Sequence, residues 1–226
     1  PVERWDAVIA VHLKGTFNTS KWASIHFRER REGGRIINMS SNSAFGAPGQ
    51  PNYAAAKAGI IGLTLTCAAS LSRYGVTANA ILPSGSTRMI DSIPRAVEAV
   101  AHTGKLPSEL AIGTEKDPDN VAPLVGFLAS EAASNVNGHV FGSFGYNMTL
   151  MSQPKIIRTI KTDHRWTLDE LVDVVPKAFG PEFEGQANQP GITANINALP
   201  EGQWMDIGNG LRAWSTKLEA YGEMVW

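Results

Sequence analysis

Tyr53 and Lys57 stand four residues apart, and a Ser40-Ser41 pair lies upstream of them. On a helix, that spacing puts both side chains on one face. An ammonium beside a phenol favours the phenolate. A phenol tuned toward neutral pH donates a proton to a carbonyl oxygen or takes one from an alcohol. A serine hydroxyl facing the phenol would hydrogen-bond the same oxygen as charge develops on it. Tyr-x-x-x-Lys alone is a weak signal, since it also arises as a plain surface pair. Its surroundings say more: Ala54, Ala55, Ala56, Ala58 and Gly59 are small and let a flat, bulky molecule approach the helix.

Other chemistries find little support. The one cysteine, Cys67, sits in an apolar helical stretch and cannot form an internal disulfide. Five scattered histidines give no metal-ligand spacing, so no metal is expected. Ser40-Ser41 lacks the Gly-x-Ser-x-Gly turn of a hydrolase nucleophile. A formal net charge of -1 excludes a strongly basic nucleic-acid surface. No uninterrupted apolar run approaches the roughly 18 residues of a membrane span, and no signal peptide is evident. A soluble protein of a reducing, cytoplasmic compartment is the expectation. Arg28, Arg30 and Arg31 read as a solvated helix end, with contact to an acyl-CoA phosphate as the other reading. Trp166, Trp204, Trp214 and Trp226 read as anchors of the C-terminal part, with a substrate lid as the other.

The elements that must position these groups follow from periodicity. Trp5, Val8, Ile9, Leu13, Phe17 and Trp22 recur at helical spacing, so residues 2–31 read as one long helix ended by Gly33-Gly34. Residues 35–39 read as a buried strand, 40–51 as a loop, 52–72 as a second long helix and 76–82 as a second strand. Pro83-Ser84-Gly85-Ser86 breaks that strand. Residues 91–116 have weak helical character. Asp117-Pro118 opens a helix that ends near Ser134, and residues 138–141 form a last strand. Short apolar strands alternating with long helices imply an α/β fold, a doubly wound parallel sheet covered on both faces. In such sheets ligands bind at the carboxyl ends of the strands, where Ser40-Ser41 and Pro83-Ser84 fall. The catalytic part is assigned to residues 1–150 and a partly flexible extension to 151–226. In the extension, residues 156–160 suggest a short strand, and Thr167 with Glu170 forms a capping box for a helix to about Phe179. Residues 180–202 read as a mobile loop and 211–221 as a weak helix.

Gly34-Arg35-Ile36-Ile37-Asn38-Met39-Ser40-Ser41, followed by Gly49-Gln50-Pro51-Asn52-Tyr53-Ala54-Ala55-Ala56-Lys57-Ala58-Gly59, resembles the active-site stretch of the short-chain dehydrogenase/reductase superfamily. Asn79 through Pro83 to Thr87 resembles that family's nicotinamide-side loop. The resemblance covers roughly residues 1–150 and implies a Rossmann-like fold, an NAD or NADP cofactor and interconversion of a secondary alcohol and a ketone. It implies Tyr53 as acid/base and Lys57 as holder of the nicotinamide ribose. Pro83 and Ser84 would face the ring, and Thr87 the carboxamide. One serine would bind the substrate oxygen. Counted back from Tyr53 by the family's spacing it is Ser40; counted forward along the strand it is Ser41. Strand register is harder to shift than loop length, which favours Ser41; Ser43 is read as a loop cap.

Two features depart from the family. His12, in Val11-His12-Leu13-Lys14-Gly15, stands where the family usually has an asparagine at a kinked turn that holds a relay water; a plain polar helix position is the other reading. The family's Gly-rich dinucleotide loop, which sets the pyrophosphate on a helix N-terminus, has no counterpart here. The expectation is a sheet without its first strands, and weak nicotinamide binding by residues 1–226 alone. Val11 to Gly15, Ser86 to Met89 and Asn120 to Val125, with Arg165-Trp166-Thr167, further resemble the (3R)-hydroxyacyl-CoA dehydrogenase part of peroxisomal multifunctional beta-oxidation enzymes. That points to a 3-hydroxyacyl thioester. A free steroid- or terpene-like ketone or alcohol and an inactive fragment serving assembly are the alternatives. A homodimer or homotetramer through the two long helices is implied by the same resemblance.

Overall fold

The computed structural model describes residues 2–92, 94–154, 156–184, 204–208 and 211–214. The first helical stretch is unbroken from Val2 to Arg30, but its hydrogen bonding changes on the way. Helix α1 (Val2–Val8) passes into a wide π-type turn at Ile9–Lys14 and then into α2 (Gly15–Arg30). The long helix expected at 2–31 is therefore present, with a turn inside it that apolar periodicity does not reveal. Arg31 ends the helix by taking a left-handed conformation, φ 57°, with its N–H on the Phe27 carbonyl. The expected glycine stop is displaced: Gly34 already belongs to the next strand.

That strand, β1 (Gly34–Met39), runs parallel to β2 (Val76–Ser84), joined through α3 (Pro51–Leu71). Pro83 and Ser84 do not break β2; they pair in register with Ser143 and Phe144 of β3 (Val140–Phe144). Proline is tolerated there because it lies at the strand's exposed end. Residues 91–116 hold two short helices, α4 (Pro94–Thr103) and α5 (Pro107–Ala111). Asp117 caps a 3-10 turn at Pro118–Val121, which leads into α6 (Ala122–Ala129). The helix expected to reach Ser134 stops at Ala129, with a separate 3-10 turn at Glu131–Ala133. After β3 the chain turns back at Gly145, φ 59°, into an antiparallel edge strand, β4 (Asn147–Leu150), which the sequence reading omits. The sheet order is β1-β2-β3-β4.

Alternation along the strands distributes the core. Ile36 and Ala78 pack with Ala68 and Leu71 of α3 on one face. Ile37 and Ile81, one residue past Ile36 and three past Ala78, turn to the other face against Leu124 and Leu128 of α6. The parallel strands are thus covered on both sides. By length and composition alone, Pro51–Tyr74 is apolar enough to cross a membrane. Here Ala56, Lys57, Ile60, Thr64, Ala68 and Leu71 are buried, in a helix that packs against the sheet.

The chain divides into two units, Pro1–Ser152 and Gln153–Trp226. In the second, the strand expected at 156–160 is not formed at the described residues. The capping box is: the Thr167 N–H donates to Glu170 Oε2 at 2.8 Å and the Glu170 N–H to Thr167 Oγ1 at 3.3 Å, opening α7 (Leu168–Glu184). α7 thus takes in the start of the loop expected at 180–202, and the rest of that loop to 202 lies outside the described residues. The helix expected at 211–221 is replaced where described by β6 (Leu211–Trp214), antiparallel to β5 (Trp204–Gly208). Two short runs around Gly208-Asn209-Gly210 are a hairpin signal stronger than the weak helical period. The stretch 215–221 lies outside the described residues, as does Trp226.

Leu128 is fully buried between α6 and the sheet. Leu128→Ala is expected to lower unfolding free energy by about 3 kcal/mol, read as a lower urea midpoint with unchanged slope.

Candidate active site

The site is built on a reciprocal clasp between the carboxyl end of β1 and the second turn of α3. The Lys57 ammonium donates to the Met39 carbonyl at 3.0 Å. The Ser40 hydroxyl donates to the Lys57 carbonyl at 2.8 Å. Ser40 also gives its N–H to the Ile81 carbonyl of β2, which fixes the level at which the two strands end. One further link sits deeper: Asn38 Nδ2 donates to Thr64 Oγ1 at 2.9 Å, while Ser20 Oγ approaches Asn38 Oδ1 at 3.5 Å, so α2, β1 and α3 share a buried polar contact.

Tyr53 and Lys57 leave the same face of α3, with the Lys57 nitrogen 5.4 Å from the centre of the phenol ring. Burial pulls the Lys57 pKa below its ordinary value. An ammonium has three N–H donors, and the Met39 carbonyl takes one. The His12 ring stands edge-on to the Tyr53 ring, centroids 5.1 Å apart and planes at 82°. Burial first, and the Lys57 charge second, pull the His12 pKa below its ordinary value.

The two serines separate by geometry. Ser40 is 2% exposed and its hydroxyl is committed to the Lys57 carbonyl. Ser41 is half-buried and extended, and its oxygen accepts the Ser43 N–H at 3.2 Å, capping the 3-10 turn Asn42–Phe45 that packs against α3. Its hydroxyl proton has no acceptor among the described residues. Register brings Pro83 and Ser84, both exposed, to the same end of the sheet. Thr87 lies just beyond, exposed, in a turn closed by the Ile90 N–H on its carbonyl. Gly85 keeps this loop against Pro118: a Cβ there would come within 2.8 Å of the Pro118 Cα. The sequence reading missed the Met39 carbonyl, a backbone atom that no side chain marks; the wide turn beneath His12 falls where the resemblance implies a kinked turn.

A separate cleft of about 800 Å³, lined by Arg31, Arg35, Arg73, Tyr74 and Glu131 among others, opens at the amino ends of β1 and β2. It lies at the opposite end of these strands from Ser40 and Lys57. Among the described residues no group of three or more His, Cys, Asp or Glu could hold a metal ion.

Residues 1–143 match a family model described as enoyl-(acyl carrier protein) reductase. The hydroxyacyl-CoA dehydrogenase ChsB1 of Mycobacterium tuberculosis is 43% identical over 186 residues, 78% of this chain and 56% of that protein. The human (3R)-3-hydroxyacyl-CoA dehydrogenase is 42% identical over 136 residues, 59% of this chain and 50% of that protein. A crystal structure of a short chain dehydrogenase from Mycobacterium avium superposes with a TM-score of 0.65 at 38% identity, covering 80% of this chain and 58% of that one. The chain thus spans about half the length of these relatives.

Ser40→Ala removes a buried donor and is expected to cost about 1–2 kcal/mol, whereas Ser41→Ala, at the half-buried cap of a short 3-10 turn, is expected to cost less than about 1 kcal/mol; urea denaturation separates them. Burial makes folded Lys57 hold its proton less tightly than the unfolded chain does. Its charge therefore costs stability in full below the folded pKa, and the cost fades as pH rises from the folded pKa to the unfolded one. Lys57→Met is accordingly expected to leave Tm at pH 7 unchanged or raised in a thermal scan, since a neutral side chain there carries no charge for burial to oppose.

Proposed function

The chain belongs to the short-chain dehydrogenase/reductase family, and from that footing we propose that the protein it represents is an NAD- or NADP-dependent oxidoreductase interconverting a secondary alcohol and a ketone, with a 3-hydroxyacyl thioester as substrate. The observation that carries the reading is the clasp of Lys57 on Met39 and Ser40, which sets the Tyr53–Lys57 face at the carboxyl ends of β1 and β2. The thioester class is supported by the hydroxyacyl-CoA names of two relatives.

The residues present fit a nicotinamide cofactor. Lys57 keeps two N–H donors for ribose hydroxyls, and Pro83, Ser84 and Thr87 present an exposed strand end and turn for the ring and carboxamide. When bound, the cofactor supplies the hydride acceptor or donor. The chain's own groups handle the proton. In the oxidation direction Tyr53 takes the hydroxyl proton, aided by the neighbouring ammonium. Ser41 donates its free O–H to the substrate oxygen and steadies the charge there. Ser40 does not touch substrate; it holds the Lys57 backbone. Exposed Trp5, Phe17 and Trp22 on α1 and α2 support a homodimer or homotetramer through these helices.

The test uses the protein expressed from its complete reading frame. NADH and NADPH absorbance is followed with a 3-ketoacyl-CoA for wild type, Tyr53→Phe, Ser41→Ala and Ser40→Ala. Tyr53→Phe is expected to lose at least about 100-fold in kcat while still binding cofactor. Ser41→Ala is expected to lose about 100-fold and Ser40→Ala less than about tenfold. Cofactor binding without thioester turnover would sink the substrate class; absence of any nicotinamide binding would sink the oxidoreductase reading.

A further inference from the structure

The wide turn at Ile9–Lys14 is where the first helix meets the catalytic pair. The Gly15 N–H reaches back to the Ala10 carbonyl, five residues away, instead of making only regular α-helical bonds. Such a turn inserts one residue into the helix and re-aims the side chains around it; π-type turns are rare and concentrate at functional sites. Here the re-aimed residue is His12, and it meets Tyr53 edge to face. This turn packs against α3.

The carbonyl of His12 is already satisfied. Its carbonyl accepts the Gly15 N–H and the Thr16 hydroxyl, the latter at 2.7 Å, which occupies both lone pairs. Neither ring nitrogen has a hydrogen-bond partner among the described residues. What remains for His12 is the ring itself. The ionisable groups facing it, on the first turns of α3, are Tyr53 and Lys57; the Lys57 charge and burial both disfavour an imidazolium. The ring is thus a neutral aromatic plate against the phenol, in a T-shaped contact of the kind aromatic pairs prefer.

We propose that the His12 ring is a positioning residue: lodged by the wide turn, it holds the Tyr53 side chain in one rotamer and so aims the hydroxyl at the substrate oxygen. The proposal rests on the assignment of Tyr53 as acid/base but can be tested apart from it. Tyr53 sits near the start of α3 with small residues around it, Ala54, Ala55 and Ala56. These neighbours offer little bulk to restrain the ring. Small errors in aim are costly in a proton transfer, because the reacting atoms must lie within hydrogen-bond reach in a fixed direction.

The experiment compares wild type, His12→Phe, His12→Gln and His12→Ala in the protein expressed from its complete reading frame. Two readouts are taken. Three-bond couplings of labelled Tyr53, assigned with Tyr53→Phe, report its χ1 populations without reference to activity. Steady-state kinetics with a 3-ketoacyl-CoA and reduced nicotinamide report kcat and KM. One dominant rotamer is expected in wild type and His12→Phe, with averaging in His12→Gln and His12→Ala. The same two ring-less variants are expected to lose roughly tenfold to a hundredfold in kcat with KM little changed, and His12→Phe to recover most of that loss. His12→Gln keeps a polar side chain of similar length, so it remains informative if His12→Ala does not fold. Unchanged Tyr53 couplings in a folded ring-less variant would overturn the proposal, whether or not the protein turns over. Loss of turnover equal in His12→Phe and His12→Gln, with the rotamer held in both, would also overturn it. A wild type with an ordered Tyr53 rotamer but no turnover would instead condemn the assigned reaction.

Discussion

A buried ammonium on α3 reaches the last carbonyl of β1, and most of what is specific in this molecule depends on that contact. Parallel strands leave their carboxyl ends facing the same way, and the final carbonyls there have no further strand to bond. Lys57 meets one of them at Met39, and Ser40 answers by bonding the Lys57 carbonyl. The pair locks the axial position of α3 relative to the sheet. It also leaves the ammonium beside the phenol with donors to spare. A neutral side chain would pack there at lower cost, since burial opposes the charge. The contact is therefore better understood as a determinant of geometry and electrostatics than as a source of stability.

The same economy governs the polar groups beneath the site. Asn38, Thr64 and Ser20 are buried, and each finds a partner on a different element. Asn79 bonds the Val136 carbonyl and the His139 N–H, and Asn137 bonds the Ala78 N–H and the Ala68 carbonyl, so the loop before β3 is tied to β2 and α3 by side-chain amides. Buried polar groups that are fully paired specify one arrangement, because a shift of register would strand them. This frame holds the ends of β1 and β2 level, which is the condition for Ser41, Tyr53 and Pro83 to share one end of the sheet.

Much of this is legible in the sequence because it rests on period and punctuation. Ile36, Ile37, Ala78 and Ile81 alternate as a doubly covered strand must, and Thr167 with Glu170 marks a helix start that the structure keeps. What period cannot carry is harder to read. Pro83 and Ser84 read as breakers, yet they continue β2 because the strand's end is exposed there. β4 has too few residues for its alternation to stand out. The wide turn at Ile9–Lys14 leaves the apolar spacing of Trp5, Leu13 and Phe17 looking helical, since one extra residue shifts the pattern by less than the width of the apolar stripe. The antiparallel pairing of β5 and β6 is hard to read from sequence because Leu211 and Ala213 are also good helix formers.

The two adjacent serines show how residue type and role come apart. Ser40 and Ser41 are the same chemical group one position apart, and a strand sends successive side chains to opposite faces. At the end of β1 one face is the interior and the other is the crevice. Ser40 points inward, so its hydroxyl must be satisfied by protein, and the Lys57 carbonyl satisfies it. Ser41 follows where the chain leaves the sheet; its oxygen is used once as a cap and its proton has no acceptor among the described residues. A hydroxyl that accepts from the backbone is oriented by that bond, and a proton without an internal acceptor is available to a ligand. Counting from Tyr53 ranks the serines by loop length, which varies freely among folds of this kind. Counting along β1 ranks them by the face they occupy, and the face decides which hydroxyl the fold consumes and which it leaves without an acceptor among the described residues.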